Sequence, residues 1–425
     1  MTDVLIVGAG LAGLSCACEL VEKGLSCLVL EASDGVGGRA RTDQFDGFFL
    51  DRGFQILLTA YPEAQRLLDY PSLQLRPFEP GALVRIDGRF HRIADPWRRP
   101  TAAFSTLLSP VGTVADKLKL ARLRSRLIRA SSKGLLQSPE MSTIEFLHDC
   151  GFSPLMIERF FRPFLGGVFL ESELQTSSRM FEFVFRMFSS GDAALPGGGM
   201  GSIAQQLLSR LPEGCVRLQQ KVAQVAPYFV TLASGQEIRA RSVVVATDNA
   251  AASQLLPEIR LLDFRGTTCF YFAAEKAPIS EPVLVLNGEG RGPVNNLCVP
   301  SLVAPSYAPP SAHLLSATVI GKPGRDTEHF LAAVRNQLAE WFGSDALGWR
   351  HLRTYWIPDA LPDQSSIAGG ANPKENRARP GLYVCGDHRE TASINGAMAS
   401  GRNTAEAILA ALDGKQTPVQ LEAKP

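Results

Sequence analysis

The sequence predicts an α/β fold whose parallel sheet is assembled from separated segments, with a discontinuous α+β region between them. Three stretches carry that reading: Val4 to Glu31, Val243 to Thr247, and Gly381 to Asp387. Each holds a short apolar run of the kind that forms a strand buried on both faces. Each run ends in small, glycine or acidic residues, and ligands of open α/β sheets gather at that end.

The first stretch is the most complete. Val4-Leu5-Ile6-Val7 is a strand, and Gly8-Ala9-Gly10-Leu11-Ala12-Gly13 follows at once. A helix is expected from Leu14 to about Lys23, closed by Gly24. Ser26 to Leu30 is a second strand, ending at Glu31. Strand, glycine turn, helix, strand and acid make the dinucleotide fingerprint in its required context, so the domain is Rossmann-like. Gly8 permits the tight turn, Gly10 lets the backbone approach a pyrophosphate, and Gly13 lets helix and strand pack closely. The N–H groups of the helix start, around Leu11 and Ala12, face the phosphates. Glu31 accepts from a ribose diol and disfavours a 2′-phosphate, with Ala32 beside it, so NADP is not expected.

Ser33-Asp34-Gly35-Val36-Gly37-Gly38-Arg39-Ala40-Arg41-Thr42 follows the ribose acid. A simple NAD dehydrogenase does not need this second loop. It resembles the GxGGRxxT element of the flavoprotein family that includes amine oxidases, protoporphyrinogen oxidases and phytoene desaturases. The resemblance implies FAD as cofactor, held by Gly37, Gly38 and Arg39. It also implies a glutathione-reductase-type FAD-binding domain with a discontinuous α+β substrate domain.

Composition sets limits. The 425 residues suffice for two or three domains, and 45% apolar with 20% charged residues describes a globular chain with a large core. A net charge of +1 argues against a general nucleic-acid binder. No apolar run reaches membrane-span length. The first strand begins at residue 4, so no leader peptide is expected, and cysteines set singly in apolar strand and helix patterns fit a reducing cytoplasm. The eight cysteines form no CxxC pair and the six histidines are scattered, so no metal site is expected.

Phe45 to Gln55 reads as a hairpin arm turning at Gly47. In the resembled family it ends beside the flavin, which would bring Asp51, Arg52, Gly53, Phe54 and Gln55 toward the ring; the other reading is an ordinary turn with a surface salt bridge. Residues 75–93 suggest small antiparallel strands with a turn at Ile86-Asp87-Gly88-Arg89. Residues 95–135 are basic: Arg98, Arg99, Lys117, Lys119, Arg122, Arg124, Arg126, Arg129 and Lys133 face only Asp95 and Asp116. Leu120, Leu123, Leu127 and Ile128 recur there at helical spacing, with Trp97 nearby. Two readings stand: a solvated helix whose leucines face the core, or a peripheral contact with an anionic membrane. Ten phenylalanines cluster in residues 144–190, mostly as core, with a few available to line an apolar tunnel.

Leu195 to Ser202 resembles the family's GGM turn, where the chain returns to the FAD domain, and a helix follows from Ile203 to Leu211. Val216 to Val225, Phe229 to Leu232 and Val243 to Thr247 read as strands. The resemblance puts Val222 on the adenine side and the run to Thr247 beneath the nucleotide. Thr267 to Phe272 is a strand, and Thr327 to Phe342 a helix with Phe330, Val334, Leu338 and Trp341 on one face. The expected division is FAD domain at 1–60, 196–250 and 361–413, substrate domain at 61–195 and 251–360, and a flexible tail at 414–425.

Gly381 to Asp387 is an apolar strand with an acid at its end, and Ala392 to Gly401 opens a helix reaching about Leu412. Asp387 can bind a ribityl hydroxyl or sit near the pyrophosphate. Small residues at the helix start leave room for a flat ring, and its N–H groups favour charge on a reduced flavin. This is the carboxyl-terminal GD…GA…SG element of the same family, implying Gly386, Asp387, Ser393, Ile394, Asn395 and Ala397 as FAD contacts.

Amine oxidases of this family commonly carry a lysine on the strand matching Thr267–Phe272. The matching position is read as Thr268, and neither neighbour is lysine. No aromatic pair follows Asp387, where His388, Arg389, Glu390 and Thr391 stand, and no cysteine lies between Asp359 and Arg379, so FAD is expected to be non-covalent. Tyr355 to Pro362 resembles a segment of carotene desaturases, with Tyr355 or Trp356 either facing the ring or packed in the core. The resemblance is closest to bacterial carotene desaturase-like proteins. It implies hydride removal from a hydrophobic, isoprenoid-like substrate, with oxygen or a quinone as acceptor. Protoporphyrinogen oxidase, a flavin-dependent polyene isomerase and a non-catalytic FAD-binding assembly factor are the alternatives. No catalytic residue is assigned; His388, Arg389 and Glu390 are candidates to assist.

Overall fold

The computed structural model describes residues 2–95, 97–99, 103–130, 139–322, 327–365 and 376–412. Lys133, the end of the basic segment and the tail at 414–425 lie outside the described residues. The chain divides into two units. The first comprises Met1–Gly38, Ala204–Leu261 and Asn372–Pro425; the second comprises Arg39–Ile203 and Leu262–Ala371. The divisions fall at Gly38, Ile203, Leu261 and Ala371, where the sequence reading set them at 60, 195, 250 and 360.

The first unit is built on an eight-stranded sheet. Its parallel part runs Val216–Arg217, Cys27–Leu30, Thr2–Val7, Glu237–Val245 and Leu382–Val384. Leu5, Val7, Leu28, Leu30, Val243 and Val245 share one core with Val230, Leu232, Ala252 and Leu256. Burying each such valine or leucine contributes roughly 1.5–3 kcal/mol. Helix Leu11–Glu22 packs along helix Ile394–Leu412. At their crossing a Cβ on Gly401 would run into Ala12 O and stand 2.9 Å from Cys16 N, so only glycine fits.

Two elements of this unit differ from expectation. The first helix starts at Leu11 rather than Leu14, because Leu14 N already bonds Gly10 O at 2.9 Å. The strand expected over Val216–Val225 breaks into Val216–Arg217 and Val222–Ala226. Between them Gln219 adopts φ 58°, and the N–H groups of Gln219 and Gln220 bond Ser33 O and Glu31 O.

The second unit carries a seven-stranded sheet in the order Arg350–Pro362, Phe264–Ala274, His313–Ile320, Val294–Cys298, Leu284–Asn287, Gly81–Ile86, Arg89–Ala94. Neighbours are antiparallel except Leu284–Asn287 with Gly81–Ile86. One face is apolar: Phe270, Phe272, Leu315, Ala317 and Val319 pack under Val334, Leu338 and Trp341 of helix Thr327–Phe342. A separate hairpin, Thr42–Phe45 with Phe48–Asp51, turns at Asp46 and Gly47, both at positive φ.

The basic segment folds as helix Val114–Arg129, opened by a capping box between Thr113 and Asp116. Leu123 and Leu127 are buried. Its charges are largely spent inside the unit. Arg98 meets Asp192, Arg99 meets Glu79 and Glu281, Arg124 meets Asp95, and Arg126 meets Glu182. Lys117 and Lys119 donate to backbone carbonyls.

Candidate functional site

In the first unit the loops after four strands converge at one end of the sheet. A Cβ on Gly8, at φ +108°, would stand 2.8 Å from Ala246 O and 3.3 Å from Thr247 N. Gly10 pairs with Gly37 in an isolated parallel bridge, and Gly37 N bonds Ala9 O at 2.8 Å. Gly38 lies against Gly10, its Cβ position 3.3 Å from the Gly10 Cα. A Cβ on Gly386 would lie 3.4 Å from Thr247 O. The structure therefore brings Gly8, Gly10, Gly37, Gly38, Thr247 and Gly386 together.

The three glycines of the turn do different work. Gly8 and Gly13 are closed by backbone, since a Cβ on Gly13 would strike Gly8 O. A Cβ on Gly10 would meet nothing within 4 Å. Helix Leu11–Glu22 has no side-chain cap at Gly10 and no acid in its first turn. The N–H groups of Leu11, Ala12 and Gly13 thus present their partial positive charge beside open space, the arrangement that suits a pyrophosphate.

Glu31 sits at the end of its strand as expected, and is held there. Its Oε2 accepts from Ala9 N at 2.8 Å, and its Oε1 accepts from the N–H and hydroxyl of Ser33 at 2.9 and 2.7 Å. Ala32 beside it is exposed. The Gln219–Gln220 turn leads into Val222, which is buried and paired with Leu232. At the other terminus Ser393 caps helix Ile394–Leu412, its Oγ accepting from Gly396 N at 3.0 Å. Asp387 and Asn395 are buried, while Ile394 and Ala397 are half-buried.

Arg39, Gly53, Phe54 and Gln55 belong to the second unit. Arg39 donates to Ala360 O at 2.7 Å, and Gln55 Nε2 donates to Arg39 O at 2.9 Å. Gly53, at φ +92°, is tight against Ile357, whose Cδ1 would be 2.7 Å from a Cβ. Arg52 is ion-paired with Asp43 at 2.9 Å, which also accepts from the Tyr355 hydroxyl at 2.7 Å. Trp356 is 41% exposed.

Thr268 pairs with Val319, placing it on the face covered by helix Thr327–Phe342. Thr267, Cys269 and Tyr271 occupy the other face, where the Phe54 backbone meets the Cys269 thiol. Burial pushes that thiol up to about 11. The strand Phe264–Ala274 holds no lysine on either face.

Asp51 is the residue whose role the sequence did not reveal. It is 3% exposed, and its Oδ1 accepts from the Thr42 hydroxyl and, at 2.9 Å, from Met200 N. Its Oδ2 accepts from the Tyr307 hydroxyl at 2.9 Å, and the Tyr271 hydroxyl donates to its carbonyl at 2.9 Å. Burial raises the carboxyl to about 6 against these donors. The GGM turn packs here too, with Gly201 N bonded to Thr42 Oγ1 at 2.9 Å. Tyr307 lies in a proline-rich stretch with no periodicity, so no sequence signal pointed to it.

A glycine turn, an uncapped helix and a carboxylate at the end of a parallel sheet define a dinucleotide-binding protein. The chain belongs to the flavin containing amine oxidoreductase family, whose profile matches residues 11–409. Membership brings FAD as the cofactor and oxidoreduction as the class of chemistry. The chain is 30% identical over 164 residues to protoporphyrinogen oxidase 2 of Arabidopsis thaliana, covering 39% of this chain and 32% of that one. It is 36% identical over 98 residues to 15-cis-phytoene desaturase of an Oncidium hybrid, covering 20% and 17%. The matched stretches therefore span a third or less of these relatives. An oxidoreductase structure from Methanosarcina mazei shares the fold, with TM-score 0.76 and 19% identity, over 95% of this chain and all of that one. Among the described residues no His, Cys, Asp and Glu cluster could hold a metal.

Proposed function

We propose that this protein oxidises a hydrophobic, isoprenoid-like substrate, with non-covalent FAD as the hydride acceptor. When bound, the flavin accepts a hydride at N5. Gly8, Gly10, Leu11, Ala12, Gly13, Glu31, Ala32, Gly37, Gly38, Val222, Thr247, Gly386, Asp387, Ser393, Ile394, Asn395 and Ala397 hold it from the first unit. The family resemblance implies Arg39, Gly53, Phe54 and Gln55 as further FAD contacts.

The observation that carries the substrate class is the aromatic array of the second unit. Phe160 stacks on Phe164 at 5.4 Å, and Phe164 meets Phe188 edge-on at 5.2 Å. All three are half-buried, at a π-helical turn over Ile157–Phe161 and on the helices beside it. Such rings suit an apolar polyene. The strand Phe264–Ala274 without lysine disfavours an amine. A porphyrinogen is the second reading, supported by the 164-residue match to a protoporphyrinogen oxidase.

A membrane source for the substrate is part of the proposal. Leu107, Leu108, Val114 and Leu118 are 41%, 68%, 52% and 56% exposed. Lys117 ties helix Val114–Arg129 to the helix Ala103–Leu108 through Leu107 O, and Arg122 and Arg129 are exposed along the former. No described helix is long and apolar enough to cross a membrane. The fit is therefore to the surface of an anionic bilayer.

Anaerobic mixing of holoprotein with polyenes, porphyrinogens and amines tests the reading. Bleaching of the flavin by a polyene alone is expected. Bleaching by a porphyrinogen or an amine instead overturns the substrate class. Polyene turnover without an electron acceptor identifies an isomerase, and no reduction by any of the three identifies a binding protein.

A further inference from the structure

We infer that the hydrophobic substrate carries an oxygen function, a hydroxyl or a ketone, and that the buried hydroxyl of Thr318 binds it. The inference rests on the reading of the aromatic array as the substrate site, and every residue it uses belongs to the second unit. Thr318 lies on the strand His313–Ile320 and is 4% exposed. Among the described residues no donor or acceptor meets its Oγ1. A hydroxyl closed off in this way costs free energy until a partner reaches it, because nothing offsets its lost hydration.

Strand alternation fixes the face on which Thr318 stands. Leu315, Ala317 and Val319 enter the core under helix Thr327–Phe342, so Ser316, Thr318 and Ile320 take the opposite face. There Thr318 pairs with Asn296 on one neighbouring strand and with Cys269 on the other. Both are engaged elsewhere. Asn296 Oδ1 accepts from Asn295 Nδ2 at 2.9 Å, and the Cys269 thiol lies 3.1 Å from the Ser316 hydroxyl. Thr267, on the same face, donates its hydroxyl to Val319 O at 2.9 Å. Thr318 is thus the free hydrogen-bonding group of a polar floor whose other members are satisfied.

Helix Arg162–Phe169 covers this floor with two glycines. A Cβ on Gly166 would stand 3.1 Å from Ile320 Cδ1 and one on Gly167 3.0 Å from Asn296 Oδ1, so the pair brackets Thr318. Phe160, Phe164 and Gly167 follow one another at helical spacing. The stacked rings of Phe160 and Phe164 therefore lead along the helix to the floor. The π-helical turn Ile157–Phe161 opens that helix, an irregularity common at functional sites, and a shift of the helix there admits the ligand to Thr318. An apolar body against the rings with an oxygen at the Thr318 end describes an oxygenated isoprenoid. A threonine hydroxyl donates to a ketone, and donates to or accepts from an alcohol. Thr268 provides the internal comparison: it is 3% exposed and equally without a partner, but it stands on the face sealed by Val334 and Leu338.

The test compares all-trans-retinol with the same polyene lacking its hydroxyl, by equilibrium dialysis against the holoprotein. Wild type is expected to bind the alcohol about tenfold more tightly than the hydrocarbon. Thr318→Val keeps the shape and removes the hydroxyl. It is expected to abolish the preference while leaving the urea midpoint unchanged or raised, since no hydrogen bond within the fold is lost. Thr268→Val removes the other orphaned hydroxyl and is expected to keep the preference. Equal binding of alcohol and hydrocarbon by wild type overturns the inference alone. So does a preference that survives in Thr318→Val or vanishes in Thr268→Val. A Thr318→Val protein with a lowered urea midpoint shows the hydroxyl bonded within the fold and overturns it too. Binding of neither polyene overturns the substrate-site reading beneath it.

Discussion

The Tyr307 hydroxyl donates a 2.9 Å hydrogen bond to Oδ2 of Asp51 across 256 residues of chain. Both groups are almost wholly buried, with Tyr307 at 1% and Asp51 at 3% exposure. Phe49 meets the Tyr307 ring edge-on at 6.1 Å, so the phenol is fixed at both ends.

This buried acid makes stability depend on pH. The native carboxyl sits near 6 and its ordinary value is 3.8, so the native state binds the proton more tightly than the unfolded chain. Its contribution is complete below about pH 4 and is lost as pH rises through 6. A shift of about two units corresponds to roughly 3 kcal/mol. Urea unfolding at pH 5 and pH 7.5 should show about half of that decline, roughly 1.4 kcal/mol, in wild type and much less of it in Asp51→Asn. An equal decline in both removes Asp51 as its source.

Two glycines should fail in opposite ways. Gly10→Ala places a methyl in open space at an ordinary φ of −71°, so the apoprotein should keep its melting temperature. FAD affinity should fall at least about tenfold, because the methyl occupies room that a pyrophosphate needs. Gly401→Ala forces two helices apart and should cost about 1–3 kcal/mol in unfolding free energy. Thermal melts and flavin titrations of both proteins separate the two effects.

Glu31 accepts from Ala9 N and from Ser33 through different oxygens. Glu31→Gln turns one of those oxygens into a donor facing a donor. A loss of about 1–2 kcal/mol in stability is expected, with weaker FAD binding. Unchanged FAD affinity would remove Glu31 from the ribose site.

The exposed apolar patch gives a separate prediction. Wild-type protein should co-float with vesicles containing anionic lipid and be released by salt. Leu108→Glu combined with Leu118→Glu should abolish flotation while leaving the flavin spectrum intact. Flotation that persists in the double variant places the contact elsewhere.

The nucleotide half of the fold was legible because its signals are local. Gly8 to Gly13 demand a turn, Gly47 demands a hairpin tip, and Val243–Val245 can only be buried. The seven-stranded sheet was not legible as a sheet. Leu284–Asn287 lies parallel to Gly81–Ile86, a pairing across about two hundred residues that no periodicity encodes. The basic helix was half read. Its spacing placed Leu123 and Leu127 correctly, but the acids that absorb its charge, Glu79, Glu182, Asp192 and Glu281, come from distant stretches.

The crossing at Gly401 has a consequence for biosynthesis. Helix Leu11–Glu22 is synthesised well before the helix it packs against, which is made from Ile394 onward. Until then the apolar flank of the earlier helix lacks this neighbour, and nascent chains in that condition are prone to aggregate. Fragments stopping short of residue 394 should therefore accumulate as insoluble material.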